Sequence, residues 1–182
     1  MGVFGIFKSN KEENTPYEDE ITSIARVISE GSDKVLSEVR ECAADITAYF
    51  AKHRERYEQR GLDGSEDEGY LQWIALADIL IEEGFACELD WKCEKADFLH
   101  FAGGLRGIKR AGIELSAEWL EEDGDVSSWC GVLREKLEGT ALAALDIDSD
   151  SYVIFAVPSS EYGSLEQYAA RIGQRIAMAS DM

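Results

Sequence analysis

Bases are scarce in this chain: 18 lysines and arginines stand against 37 acids, a net charge of −19 over 182 residues. Phosphate backbones would be repelled along most of such a surface, which argues against nucleic acid as a partner. Paired cysteines are lacking as well. Cys42, Cys87, Cys93 and Cys130 are scattered with no CxxC, and neither His53 nor His100 stands beside such a pair. Zinc-ligand spacing is therefore absent, and four reduced, mostly buried thiols are expected. No apolar run reaches transmembrane length, and MGVFGIFK is too short and too uncharged at its front for a signal peptide. A cytoplasmic protein, bacterial in style and not bound to a membrane, is expected. GxSxG and a glycine-rich phosphate loop within a βαβ run are both missing, which excludes a serine elbow and a doubly wound nucleotide binder. No cofactor is expected.

What is present is globular. An apolar share of 45% with 10% aromatics suits a packed core, and a domain of this length buries roughly 70% of its unfolded surface without a staple. KSNKEENTP (8–16) reads as a flexible tail. Pro16 suits a first helical turn, with Thr15 as N-cap and Glu18, Asp19 and Glu20 at the positive helix end. Ile21, Ile24 and Ile28 then repeat at helical spacing, and a longer helix is expected over 33–59. Its stripe of Val35, Leu36, Val39, Cys42, Ile46, Tyr49, His53 and Tyr57 alternates by three and four residues. The stripe could close an intramolecular hairpin with 16–30, or serve as a homodimer seam over 35–57. GLDGSEDEG (61–69) marks a boundary, so the expected organisation is a tail over 1–15, a helical arm over 16–62 and a compact domain over 66–182.

Helical spacing recurs over 66–83, 95–107, 127–138 and 163–180, the last with Leu165, Tyr168, Ala169, Ile172 and Ile176 inward. FACELDW (85–91) alternates strictly: Phe85, Cys87, Leu89 and Trp91 share one face, Glu88 and Asp90 the other. A half-buried strand with a wet opposite face follows. GIEL (112–115) could be a short strand. ALAALDIDSDSYVIFAV (141–157) sets two apolar runs around a polar centre, the pattern of a β-hairpin in a buried sheet. The fold class expected is α+β, a small, largely antiparallel sheet flanked by helices, with an N-terminal helical hairpin.

Acids supply the candidate sites. DIDSDS starts like a calcium loop but carries Ser151 and Val157 where Gly and a bidentate acid are needed, so that match fails. If strands 85–91 and 141–147 lay side by side, Glu88, Asp90, Asp146, Asp148 and Asp150 could hold a hard divalent metal, in a metal-binding protein or metal-dependent hydrolase. Equally, Asp148, Ser149 and Asp150 could simply make the turn. Charge is concentrated from Ala111 to Asp150, where eleven acids face two bases. Trp73, Trp91 and Trp129 fall on apolar stripes, whereas Trp119 in SAEWLEED could be an exposed anchor. The leading expectation is therefore a non-enzymatic interaction protein of immunity type. It would capture a basic partner through Trp119, Glu121, Glu122, Asp123 and Asp125.

The segments GFACELDWK (84–92), DFLHFAGGL (97–105) and LDIDSDSYVIFAV (145–157) resemble a bacterial family catalogued only as a domain of unknown function. The resemblance spans about residues 70–182 and leaves the N-terminal helices outside. It implies a compact α/β domain from an intracellular bacterial source, and no site.

Overall fold

The computed structural model describes residues 16–182; the expected tail and the Thr15 cap lie outside that range. Its centre is a four-stranded antiparallel sheet of β1 (Ala86–Asp90), β2 (Thr140–Leu145), β3 (Ser151–Pro158) and β4 (Ile176–Met178), in the order β1-β3-β2-β4. The hairpin at 141–157 forms as expected, with Leu145 opposite Val153 and Ala141 opposite Val157. Both faces of the hairpin are covered. Ala143, Leu145, Val153, Phe155 and Val157 point into one core, while Leu142, Ala144, Ile154 and Ala156 point into another. Two-sided burial is why these strands read as nearly unbroken apolar runs.

One face packs against α1 (Pro16–Ile28), α2 (Asp33–Ala44), α3 (Ile46–Lys52), α4 (Arg54–Gln59), α5 (Glu68–Glu82) and α9 (Ser159–Arg171). The other packs against α6 (Lys95–Gly104), α7 (Arg106–Arg110) and α8 (Val126–Lys136). The fold is α+β, helices flanking an antiparallel sheet. Ile21, Val35, Tyr49 and Tyr57 share one hydrophobic cluster with Phe155 and Leu145 of the sheet. The 61–69 loop therefore does not divide the core, and the helices of 16–62 form one wall of it.

Four elements differ from the sequence reading, and one of them is the helix over 95–107, which breaks at Leu105 into α6 and α7. The helix over 33–59 breaks at Asp45 and again at His53. Asp45 leaves helical geometry and accepts the Ala48 N–H at 2.9 Å, so a competent N-cap restarts the chain as α3. The stripe survives these bends: Val35, Leu36, Val39, Cys42, Ile46, Tyr49 and Tyr57 are buried against this chain's own elements. The C-terminal helix ends at Arg171 instead of running to Ser180. Gly173 takes φ 73° and the Gln174 N–H reaches back to the Ala169 carbonyl at 2.9 Å, a glycine stop that frees Ile176 to enter β4. GIEL is not a strand; Ser116 instead caps a 3-10 turn over Ala117–Trp119.

Candidate functional site

Both acidic segments singled out in the sequence meet at one end of the sheet. β1, β3, β2 and β4 deliver Asp90, Ser151, Leu145 and Ile176 to that end in register. Between them lies a cleft of about 350 Å³ lined by Trp91, Asp146, Asp150, Tyr152, Arg175 and Met182, among others. Trp91 is 41% exposed. Its backbone is clamped on both sides: its N–H donates to the Asp150 carbonyl at 3.2 Å, and its carbonyl accepts from Val126 at 3.4 Å. The first bond ties Trp91 to the 146–150 turn, the second to the first residue of α8, directly after the 121–125 loop. Lys92 sets its ammonium 4.2 Å from the indole centroid, a cation–π geometry.

The turn makes its own support. Asp146 accepts from the Asp148 N–H at 3.1 Å and Ser149 Oγ from the Ser151 N–H at 3.1 Å. Asp148 sits at φ 54°, a left-handed position that Asp tolerates. Asp148 and Asp150 are exposed, while Asp146 is held by Arg175 at 3.0 Å. Arg175 also donates to the Asp181 carbonyl at 2.8 Å, and the Tyr152 hydroxyl to that of Met182 at 3.4 Å, so residues 181 and 182 flank one side of the cleft. Burial pushes the Tyr152 hydroxyl above its ordinary pKa.

The 121–125 loop is anchored from beneath. The Trp129 indole donates to the Glu121 carbonyl at 2.9 Å, and Gly124 lies so close that any side chain would overlap that indole. Asp125 and Ser128 cap α8 reciprocally, at 2.8 and 2.9 Å, and the bonds that the Asp125 carboxyl accepts from Ser128 hold it below the usual range. Asp125 is thus committed to the helix. Glu122 pairs with Lys95 at 2.5 Å, and Glu121 and Asp123 are exposed.

Several expected site residues are placed otherwise. Trp119 is only partly exposed and packs against the second core, so it is not a free anchor. Trp91, read as core, is the more exposed of the two, because β1 ends at Asp90 and the alternation no longer governs residue 91. The five acids of the expected metal site are not gathered into one cluster: Asp146 and Asp150 share the cleft, while Glu88, two residues back along β1, is directed away from it. Glu88 turns to α4 and α5, where Arg60 bonds both Glu88 at 2.6 Å and Asp78 at 2.5 Å. Asp90 accepts from the Lys92 N–H at 2.9 Å. Among the described residues no group of three His, Cys, Asp or Glu side chains could hold a metal ion. None of their helices is long and apolar enough to cross a membrane.

Sequence reasoning missed Arg60, Tyr152 and Arg175. Arg175 could have been found from Gly173, whose helix stop predicts a change of direction just before it.

The chain belongs to the family described as a domain of unknown function, DUF6630, whose model matches residues 20–179. The match reaches back through α2–α4 and into α1 as far as Glu20, beyond the segments that carry the resemblance in the sequence. No match was found among curated proteins or among solved structures.

Proposed function

We propose that this member of a family without an assigned activity is a non-enzymatic, cytoplasmic interaction module, of bacterial immunity type, that captures a basic protein at the sheet-end cleft. The observation behind this reading is the double clamp on Trp91, which sets an exposed indole between the 121–125 loop and the 146–150 turn. A lysine or arginine of the partner would replace Lys92 on the indole face, with Asp150 lining the same cleft and Asp148 exposed on the same turn. Cation–π contact and carboxylates then act on one charge, and the net charge of −19 steers its approach. Trp91 takes the anchoring role first expected of Trp119; Glu121, Glu122 and Asp123 form the rim, with Glu122 exchanging Lys95 for a partner base.

A labelled arginine-rich peptide tests this by stopped-flow association at several salt concentrations. Trp91→Ala and the pair Asp148→Asn, Asp150→Asn should each weaken binding about tenfold. The pair Glu135→Gln, Glu138→Gln, at the far end of α8, removes equal charge and should change it less than about twofold. Equal losses from the two pairs, with Trp91→Ala unaltered, would mean that net charge alone attracts the peptide, and the reading would be abandoned.

A further inference from the structure

A groove of about 310 Å³ opens between α3, the 63–66 loop and the first turn of α5, close to where α1 begins. Ile46, Phe50, Ala51 and Leu71 form its apolar side. Gly64, at φ 90°, brings the loop down onto Phe50, and a Cβ there would come within 3.1 Å of the ring. The loop supports itself: Glu66 accepts from the Gly64 N–H at 2.9 Å, and Asp63 from the Ser65 N–H at 2.9 Å.

Charge in this lining is not balanced. Asp63, Glu66 and Glu68 stand against one base, Arg54, which is paired at 2.7 Å with Glu58 one turn further along α4. Among the described residues none of the three acids has a base within ion-pair distance. An apolar segment followed by bases suits such a groove, and the chain carries one. VFGIFKSNK (3–11) has four large apolar side chains within five residues, then two lysines, and no acid.

The point of attachment also agrees. Tyr17, the second residue of α1, donates its hydroxyl to the carbonyl of Gly69 at 2.5 Å, and Glu68 beside it lines the groove. The seven residues between Lys8 and Pro16 can span up to about 24 Å. A tether this short sets an effective concentration in the millimolar range, so a contact too weak to hold a free peptide can still fill the groove.

We propose that the groove between α3 and the 63–66 loop is the seat of this chain's own segment 3–8. Its apolar side chains would meet Phe50 and Leu71, and Lys8 and Lys11 would meet Glu68 and Asp63. The same segment of a second copy is the poorer occupant, since it lacks the tether. This seat is separate from the Trp91 cleft and stands whether or not that cleft binds a basic protein.

The test uses the full chain with labelled Ile, Leu and Val methyls. The Val3 and Ile6 methyls should give nuclear Overhauser contacts to the Leu71 methyls and the Phe50 ring. The pair Phe4→Ser, Phe7→Ser should abolish them, shift the Ala51 and Gly64 amides, and speed tryptic cleavage after Lys8 and Lys11 about fivefold. Glu68→Lys, at an exposed position, should weaken the contacts. Adding Lys8→Glu and Lys11→Glu should restore them, a rescue that a misfolded variant could not give. Absence of the methyl contacts in the unaltered chain would overturn the proposal. So would a charge swap without rescue, or contacts found only between differently labelled chains, which would assign the groove to a second copy.

Discussion

The indole N–H of Trp73, fully buried on α5, donates to the backbone carbonyl of Asp146 at 2.7 Å. One core side chain thereby fixes the start of the 146–150 turn, and with it the wall of the cleft that holds Trp91.

Trp73→Phe keeps an aromatic ring in the core but leaves the Asp146 carbonyl without its donor. The loss combines an unsatisfied acceptor with a small cavity, about 2–4 kcal/mol in urea denaturation. Hydrogen exchange should also quicken at Asp148 and Ser151, whose amides are held by side chains of the same turn. Unchanged protection there, with stability lost, would show that the turn holds without Trp73.

Arg60 sits between two acids, and its removal should make stability depend on pH. Burial holds the Asp78 carboxyl above the ordinary range, while the hydrogen bonds and charge of Arg60 pull it back. In Arg60→Met burial and repulsion from Glu88 are opposed only by the charge of Arg56, so the folded pKa rises further. A raised folded pKa means that the native state binds more protons than the unfolded one between the two values, so stability falls as pH rises through that window. The variant should be less stable by about 3 kcal/mol at pH 7, and by clearly less at pH 4. Adding Asp78→Asn should restore most of the difference at pH 7. A deficit independent of pH would show that Arg60 acts through packing alone.

How far the sequence reveals this fold depends on whether a signal is local. The hairpin at 141–157 is legible because its burial on both faces leaves two apolar runs around a polar turn. The breaks at Asp45 and Gly173 also have local signals, a cap former and a glycine, but continuous helical spacing on either side conceals them. The two tryptophans were exchanged for another reason. Trp91 follows the alternation of a strand that stops one residue earlier, and Trp119 sits among acids yet packs against Leu99 and its neighbours in the second core. Both depend on contacts distant in sequence. So does the separation of Glu88 from Asp146, since Glu88 turns to Arg60.

The thiols should differ in reactivity. Burial pushes Cys42 and Cys87 up to about 12, and lifts Cys130 further in the same direction. Cys93 is raised as well, first by burial and then by Asp97, Asp90 and Glu94, but it is partly exposed. At pH 7.5 a chromogenic disulfide reagent should modify one thiol per native chain, slowly, and four in urea. Peptide mapping should place the native label on Cys93. Rapid native labelling of Cys42 or Cys87 would mean that the core opens readily around it.

Gly107 offers a test in which two effects have opposite signs. It lies within α7, where alanine is the better helix former by about 1 kcal/mol, so propensity alone predicts a gain for Gly107→Ala. Packing predicts the reverse. A Cβ at this position would overlap the backbone carbonyl oxygen of Ala156 on β3 and come within 3.0 Å of the Ala156 Cβ. Neither is the far end of a flexible side chain, so the helix must move off the sheet. We expect Gly107→Ala to lose about 2 kcal/mol net in urea midpoint at constant m. Gly104→Ala is the control, since a Cβ there meets nothing within 4 Å and the change should be neutral or stabilising. If both substitutions stabilised the protein, α7 would not press on β3 at Ala156, and the second core would be looser there than its geometry implies.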